Sequence, residues 1–178
     1  MLNNAANKME NINPIINKVA SSDLITFDLE EYYPTDAIAV FDLKNFLFKE
    51  LVLKEKDFRE ALKNLDWKKF ENKAVAITCS SDAIVPMWSF MLVAVYLTGV
   101  ASYFRFGTEE ELVSDLFFQS LKKINAEDYR DKKVLVKGCS DKEVPASVYV
   151  EVSRIFLPVV KSLMYGEACS NVPLMKRK

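Results

Sequence analysis

The sequence predicts an α/β protein with a mostly parallel sheet and helices on both faces of that sheet. Short apolar runs that fit buried strands alternate with longer helical runs, which is typical of right-handed crossovers between parallel strands. Half of the 178 residues are apolar, enough to bury a core without disulfides or metal ions. We therefore expect a single α/β domain over residues 21–178, preceded by a flexible lead-in over residues 1–20.

The elements are assigned in chain order from periodicity and from turn signals. Two short extended segments come first, and a helical pattern beginning near Asp57 places Phe58 and Leu62 on one face. Three further strands follow, and each of them leads into a helix. The predicted strands span residues 24–29, 37–43, 74–78, 101–106 and 134–137.

The starts of the last three helices are marked by specific residues. Pro86 and Pro145 stand at first helical positions, where the missing proline N–H has no cost. Thr108 and Glu111 have the spacing of a capping box. We expect the last helix to continue past Pro158 to about position 163 with a kink, because proline cannot donate the internal hydrogen bond.

Charge and composition exclude several classes of function. Lys and Arg number 24 against 25 for Asp and Glu, so no long-range field attracts nucleic acid or anionic lipid. The absence of histidine excludes Ser-His-Asp and Cys-His pairs and His-ligated zinc. The four glycines form neither a dinucleotide fingerprint nor a P-loop. With no secretory signal or membrane-spanning apolar run, we expect a cytoplasmic protein with no membrane or nucleic-acid partner.

Three Cys-Ser pairs, at Cys79, Cys139 and Cys169, form the most conspicuous candidate site. An odd number of cysteines in a reducing compartment indicates free thiols or metal ligands. Cys79 and Cys139 both follow predicted strands, which places them at the carboxyl edge where open α/β sheets bind ligands. Cys169 follows the last helix, so the chain must turn back, for example at Gly166, to bring it to that edge.

A short internal repeat contains two of these pairs. Residues 70–82 and 129–141 resemble each other, and each segment runs from a strand through Cys-Ser and then leads to a Val-Pro that opens a helix. The repeat supports the expectation that Cys79 and Cys139 occupy comparable places at strand ends.

Three thiolates close together would suit a metal. With one carboxylate they make a tetrahedral zinc site, and without it they can hold an iron–sulfur cluster that leaves one iron open. We therefore predict a metal-binding accessory protein with zinc or an iron–sulfur cluster bound by Cys79, Cys139, Cys169 and Asp82. The residues expected to support these ligands are Ser80, Ser140, Ser170, Asp141 and Glu167.

Two other interpretations remain open. The protein could be a thiol-dependent enzyme or sulfur carrier that uses Cys139, since Gly138 leaves room for close approach. It could equally be an interaction module with inert buried cysteines, because free cysteine is among the most buried residue types.

The sequence also resembles a known family. The motifs that carry the resemblance are Leu24-Ile-Thr-Phe-Asp-Leu-Glu-Glu-Tyr-Tyr-Pro34, Lys54-Glu-Lys-Asp-Phe-Arg-Glu60, Cys79-Ser-Ser-Asp-Ala-Ile-Val-Pro86 with Trp88, Lys137-Gly-Cys-Ser140 and Tyr165-Gly-Glu-Ala-Cys-Ser170. On these motifs, from about Ser22 to Pro173, the chain is identified as a member of the bacterial domain-of-unknown-function family 2480. The resemblance implies no activity, and it implies iron–sulfur assembly proteins as partners. A weaker similarity to zinc-containing sulfur-transfer scaffolds is limited to three cysteines, an aspartate and the element Cys139-Ser-Asp141.

Overall fold

The computed structural model of the chain describes residues 24–138 and 142–178 and confirms the predicted α/β class. The strands are β1 (Leu24–Asp28), β2 (Ala37–Asp42), β3 (Lys73–Thr78), β4 (Tyr103–Phe106), β5 (Lys133–Lys137), β6 (Ser162–Glu167) and β7 (Ser170–Lys176). The helices are α1 (Glu55–Asn64), α2 (Met87–Leu97), α3 (Glu109–Leu121) and α4 (Ala146–Phe156). The domain boundary expected near residue 20 lies outside the described residues.

The strands form two sheets. The four-stranded sheet has the order β1-β5-β6-β7, in which β1, β5 and β6 are parallel and β7 pairs antiparallel with β6. The three-stranded sheet has the order β2-β3-β4 and is parallel throughout. Consecutive strands β1 and β2 therefore belong to different sheets. The candidate site residues that follow β3 and β6 are likewise divided between the two sheets.

Each sheet belongs to a separate structural unit, and the two units have the same order of elements and the same strand register. The contiguous unit comprises residues 37–106, and the split unit comprises residues 24–32 together with 109–167. Adding 59 to a position after α1 in the contiguous unit gives its counterpart in the split unit: the Asn72 N–H donates to Val100 O and the Asp131 N–H donates to Val159 O, both at 3.0 Å. The register of β3 with β4 and of β5 with β6 follows the same rule. The repeat suggested by sequence is therefore structural and extends through both crossovers.

Both units also turn the chain in the same way after their first strand. An aspartate at the strand end, Asp28 or Asp42, accepts the N–H two residues later at 3.0 or 2.9 Å and so caps a short 3-10 helix. The preceding Phe27 or Phe41 stacks on the ring that ends this 3-10 helix, with centroids 4.7 or 5.3 Å apart. We call each of these turns, residues 28–32 in the split unit and residues 42–46 in the contiguous unit, a corner. The corners lie at the carboxyl edge of each sheet.

Helix α3 packs against both units. Its Leu112 and Leu116 form one apolar cluster with Ala74 and Ala76 on β3. Its other face belongs to the core of the split unit, through Val113, Phe117 and Leu121. Each buried Leu or Phe contributes about 1.5–3 kcal/mol to the free energy of unfolding, so α3 is a main connection between the units.

The start of α3 is well specified by local sequence. The predicted capping box is present, since Thr108 Oγ1 accepts the Glu111 N–H and the Glu111 carboxylate accepts the Thr108 N–H. Gly107 precedes it with a φ of 136°, and a side chain there would also collide with the Glu111 carboxylate. Glycine is therefore required where the chain passes from β4 back to the split unit.

The end of the chain differs from the sequence prediction. Helix α4 ends at Phe156, so the prediction that it continues past Pro158 with a kink is wrong. Pro158 cannot donate to a helical carbonyl, and the chain leaves the helix there. Residues 162–176 form the hairpin of β6 and β7, which apolar periodicity alone did not separate from the helix before it.

Overpacking the contact beneath α3 should destabilise the protein. We expect Ala76→Leu to lower the free energy of unfolding by about 1–3 kcal/mol, because Ala76 is fully buried against Leu112 and Leu116. Urea denaturation measures the loss. Val40→Leu is the control, since Val40 lies directly opposite Ala76 on β2 and is 42% exposed, and it should change stability by no more than about 0.5 kcal/mol. An equal effect of both substitutions would contradict the packing assigned to α3.

Candidate functional site

Cys79 lies at the carboxyl end of β3, where the sequence predicts it, but its surroundings are apolar. It is half-buried and packs against the cluster formed by α1, α2 and the three-stranded sheet. Its thiol contacts the Ser81 carbonyl oxygen at 3.8 Å, and Asp82 is exposed. Cys79 therefore has the environment of a small core side chain.

Cys169 lies in the turn between β6 and β7 and is exposed. Gly166, with a φ of 121°, permits the close hairpin, because a Cβ there would meet the backbone of Ser170. Cys169 is thus at the carboxyl end of β6 in the four-stranded sheet, whereas Cys79 belongs to the three-stranded sheet. The predicted ligand Cys139 and the supporting residues Ser140 and Asp141 lie outside the described residues.

These positions overturn the predicted three-cysteine metal site. Cys79 and Cys169 are far apart on different sheets, and no group of three His, Cys, Asp or Glu within residues 24–138 and 142–178 could hold a metal ion. The predicted three-cysteine site is wrong because it assumed one sheet edge, while β3 and β6 end at the edges of two sheets. The expected iron–sulfur assembly partners lose their structural basis with it. Zinc or an iron–sulfur cluster as a cofactor stays a prediction.

The residues expected to support the metal have other surroundings. Ser80 donates both its N–H and its hydroxyl to the Asp42 carboxylate, at 3.0 and 2.5 Å. Ser170 and Glu167 are exposed in the β6–β7 hairpin, where the Glu167 carboxylate acts on Lys137. These residues therefore lie at the edges of two different sheets.

The two sheet edges use different partners for equivalent aspartates. Partial burial opposes the ionisation of Asp42, but the hydrogen bonds from Ser80 and from the Lys44 amide outweigh it and hold the pKa of Asp42 below its ordinary value. In the split unit, among the residues that the structure describes, Asp28 pairs with Lys137 at 3.2 Å. This hydrogen bond and the negative charge of Asp28 raise the pKa of Lys137 above its ordinary value.

The structural repeat also changes how the cysteines are compared. With the offset of 59 residues, the counterpart of Cys79 is Gly138, and not Cys139 as the two Cys-Ser pairs suggest. A Cβ on Gly138 would lie 2.7 Å from the Tyr149 hydroxyl and 3.6 Å from that of Tyr165. Tyr149 and Tyr165 meet edge to face, with centroids 5.7 Å apart. The space beside Gly138 is therefore occupied by tyrosine hydroxyls.

A cavity of about 540 Å³ lies between the starts of α3 and α4. Its rim carries the exposed carboxylates of Glu109, Glu110 and Glu143, and Lys142 places its ammonium 4.4 Å from the Tyr33 ring beside it. The positive end of the α3 dipole stabilises the carboxylates of Glu109 and Glu110 in its first turn, so helix stability alone accounts for these residues.

The most distinctive surface of the described residues is on α2. Its eleven residues include no charged side chain, and Met87, Met91 and Val95 at successive intervals of four are 70%, 69% and 68% exposed. Ile84, just before the helix, is 94% exposed, and Phe106 at the end of β4 is 64% exposed. We call these five residues the α2 face. Summed over the five residues, the exposed area is on the order of 700 Å², somewhat above the roughly 300–600 Å² of the largest apolar patch on a typical monomer.

The equivalent helix of the split unit keeps only part of this surface. The counterparts of Met87, Met91 and Val95 on α4 are Ala146, the exposed Val150 and Arg154, and Arg154 forms a bidentate ion pair with Glu151. The same position in the same fold can therefore be small or charged. The apolar residues of α2 are thus not required to build the crossover.

The apolar character of α2 can be read from its sequence, but the α2 face cannot. A helix that is apolar all round is usually buried, so composition alone predicts core. One sequence signal could have found the α2 face. Aligning α2 with α4 through the repeat places Val95 opposite the charged Arg154, which indicates that this position faces outward. No helix in the part of the chain that the structure describes is long and apolar enough to span a membrane, and the predicted cytoplasmic location stays a prediction.

Comparison with known proteins yields a family and no function. A family model described as a protein of unknown function (DUF2480) matches residues 13–177. Comparisons with curated proteins and with solved structures found no match.

Filling the space at Gly138 should disturb the tyrosine pair. We expect Gly138→Ala to reduce the free energy of unfolding by about 1–3 kcal/mol, because the new Cβ collides with the Tyr149 hydroxyl. In a Tyr149→Phe background the same substitution should cost clearly less. A double-mutant cycle by urea denaturation measures this coupling. The reference substitution is Cys79→Ala, which lies at the position equivalent to Gly138 and adds no atom. Additive effects of the two substitutions would exclude the proposed collision.

Removing the charge of Asp42 should matter only above its pKa. A carboxyl whose pKa is lowered by folding stabilises the protein above about pH 4, and this contribution is lost as the pH falls below that. We expect Asp42→Asn to cost about 1 kcal/mol at pH 7 and progressively less below about pH 4. Denaturation at several pH values is the measurement. Asp66→Asn is the control and should cost less, because Asp66 caps through the Lys68 amide without the two Ser80 donors. A loss for Asp42→Asn that did not change with pH would contradict the assignment.

Proposed function

Since the chain belongs to the DUF2480 family of proteins of unknown function, we propose its function from its own surface: it is an interaction module that binds another protein chain through the α2 face. The observation that carries this proposal is the exposure of Met87, Met91 and Val95 along one side of a helix without charges. Exposed apolar patches of this size are typical of protein–protein contact surfaces.

The side chains of the α2 face suit a contact with another protein. Methionine is unbranched and polarizable, and it adapts to the shape of an opposing surface. Phe106, which is 64% exposed, contacts Phe90 edge to face, with centroids 5.1 Å apart, so the surface includes an aromatic ring. A stripe of residues four positions apart is the ridge that packs into the groove of another helix.

The inner side of α2 provides the rigidity that such a surface needs. Val93 and Leu97 are fully buried in the cluster that also contains Cys79. Trp88 packs against Phe58 of α1, with centroids 6.1 Å apart, and the Arg59 guanidinium lies 5.4 Å from its ring. In this proposal Cys79 contributes to the core that supports the surface, and it has no chemical role of its own.

Photo-crosslinking in cells tests whether the α2 face binds a protein. A photo-reactive amino acid at position 95 should form a covalent adduct with one identifiable protein chain. The same amino acid at position 154, the counterpart on α4, should not. Mass spectrometry of the crosslinked peptides identifies the chain that is bound and the site of contact.

A second substitution makes this experiment decisive. Met87→Lys places a charge within the contact and should abolish the adduct formed from position 95, while leaving the fold intact because Met87 is 70% exposed. Absence of an adduct at position 95, equal adducts at positions 95 and 154, or an adduct that survives Met87→Lys would each refute the proposed function.

A further inference from the structure

The α2 face has the size of one side of a stable interface. Its five exposed side chains present on the order of 700 Å², close to the roughly 800 Å² that each partner contributes to a standard-size interface. Next to it, the loop after the Leu43–Phe46 corner adds Leu51, 68% exposed, and Val52, 56% exposed. Ser81 donates its hydroxyl to the Glu50 carbonyl oxygen at 3.1 Å and so holds this loop beside the segment that carries Ile84.

The chemistry of the α2 face suits contact with an identical surface. No Asp, Glu, Lys or Arg occurs between Met87 and Leu97, so two copies of α2 can meet without opposing like charges. Antiparallel packing also opposes the two helix dipoles favourably. The whole chain has a formal net charge of −1, so long-range repulsion between copies is weak.

We propose that the partner of the α2 face is the α2 face of a second copy of this chain. The two helices pack antiparallel around a twofold axis close to Met91, the middle of the stripe. Each Met87 then contacts the Val95 of the partner subunit, and the same residues bury each other on both sides, as in other isologous dimers. This inference rests on the proposed function and names the protein that it binds.

Association of the purified full-length chain tests the proposal. We expect sedimentation equilibrium at micromolar concentration to show a dimer. Met91→Glu should raise the dissociation constant at least about a hundredfold, because it buries two unpaired carboxylates at the axis. Met91 is 69% exposed, so the fold of the isolated chain should tolerate the substitution, and circular dichroism checks this directly. Val95→Glu provides a second variant with the same expected loss.

The split unit offers a matched control. Val150 is the counterpart of Met91 on α4 and is 72% exposed, so Val150→Glu adds the same charge at the equivalent place and should leave the dimer intact. A monomeric wild-type chain, a Met91→Glu variant that still dimerises, or an equal loss for Val150→Glu would each overturn the proposal.

The crosslinking experiment separates failure of this inference from failure of the proposed function. A monomeric chain whose position 95 crosslinks to a different protein would refute the homodimer and leave the protein-binding function standing. A monomeric chain with no adduct at position 95 would refute both. Crosslinks between position 95 and residues around Met87 of the partner chain support both.

Discussion

The packing of α3 on both of its sides is the contact on which the arrangement of the two units depends. One side lies on Ala74 and Ala76 of the three-stranded sheet, and the other completes the core of the split unit with Phe117 and Leu121. Small side chains on β3 let the helix approach closely. The counterparts of the two alanines in the split unit are Lys133 and Leu135, so the two units differ at the positions where α3 packs. The two units therefore share one topology, but α3 packs on them through different residues.

The repeat allows structural requirements to be separated from features that are free to vary. Both units keep the aspartate that caps the corner, the stacked aromatic pair and the proline that begins the crossover helix, since these residues build the fold. They differ where the fold does not demand a particular residue. Cys79 fills a core position that Gly138 leaves to tyrosine hydroxyls, and the apolar exposed side of α2 corresponds to Ala146, Val150 and Arg154 on α4. We base the functional proposal on the second difference because it changes the protein surface.

Much of the fold was predictable because its signals are local. Strands β1 to β5, the proline-led starts of α2 and α4 and the capping box of α3 follow from periodicity and from hydrogen bonds within a few residues. The hairpin of β6 and β7 was missed because Val159, Val160 and Leu163 continue an apolar pattern beyond the end of α4. The candidate site was missed for a different reason. Apolar composition does not reveal whether a side chain of α2 faces the core or solvent.

The sequence by itself determined the α/β class, the order of most elements, their capping residues and the short repeat around residues 70–82 and 129–141. Each of these depends on neighbours along the chain. Only the tertiary structure decided that the strands divide into two sheets, that Cys79 and Cys169 belong to different ones, and that Met87, Met91 and Val95 face outward. These outcomes depend on which strands pair across more than a hundred residues, as β1 does with β5, and such pairings are selected by the packing of the whole chain.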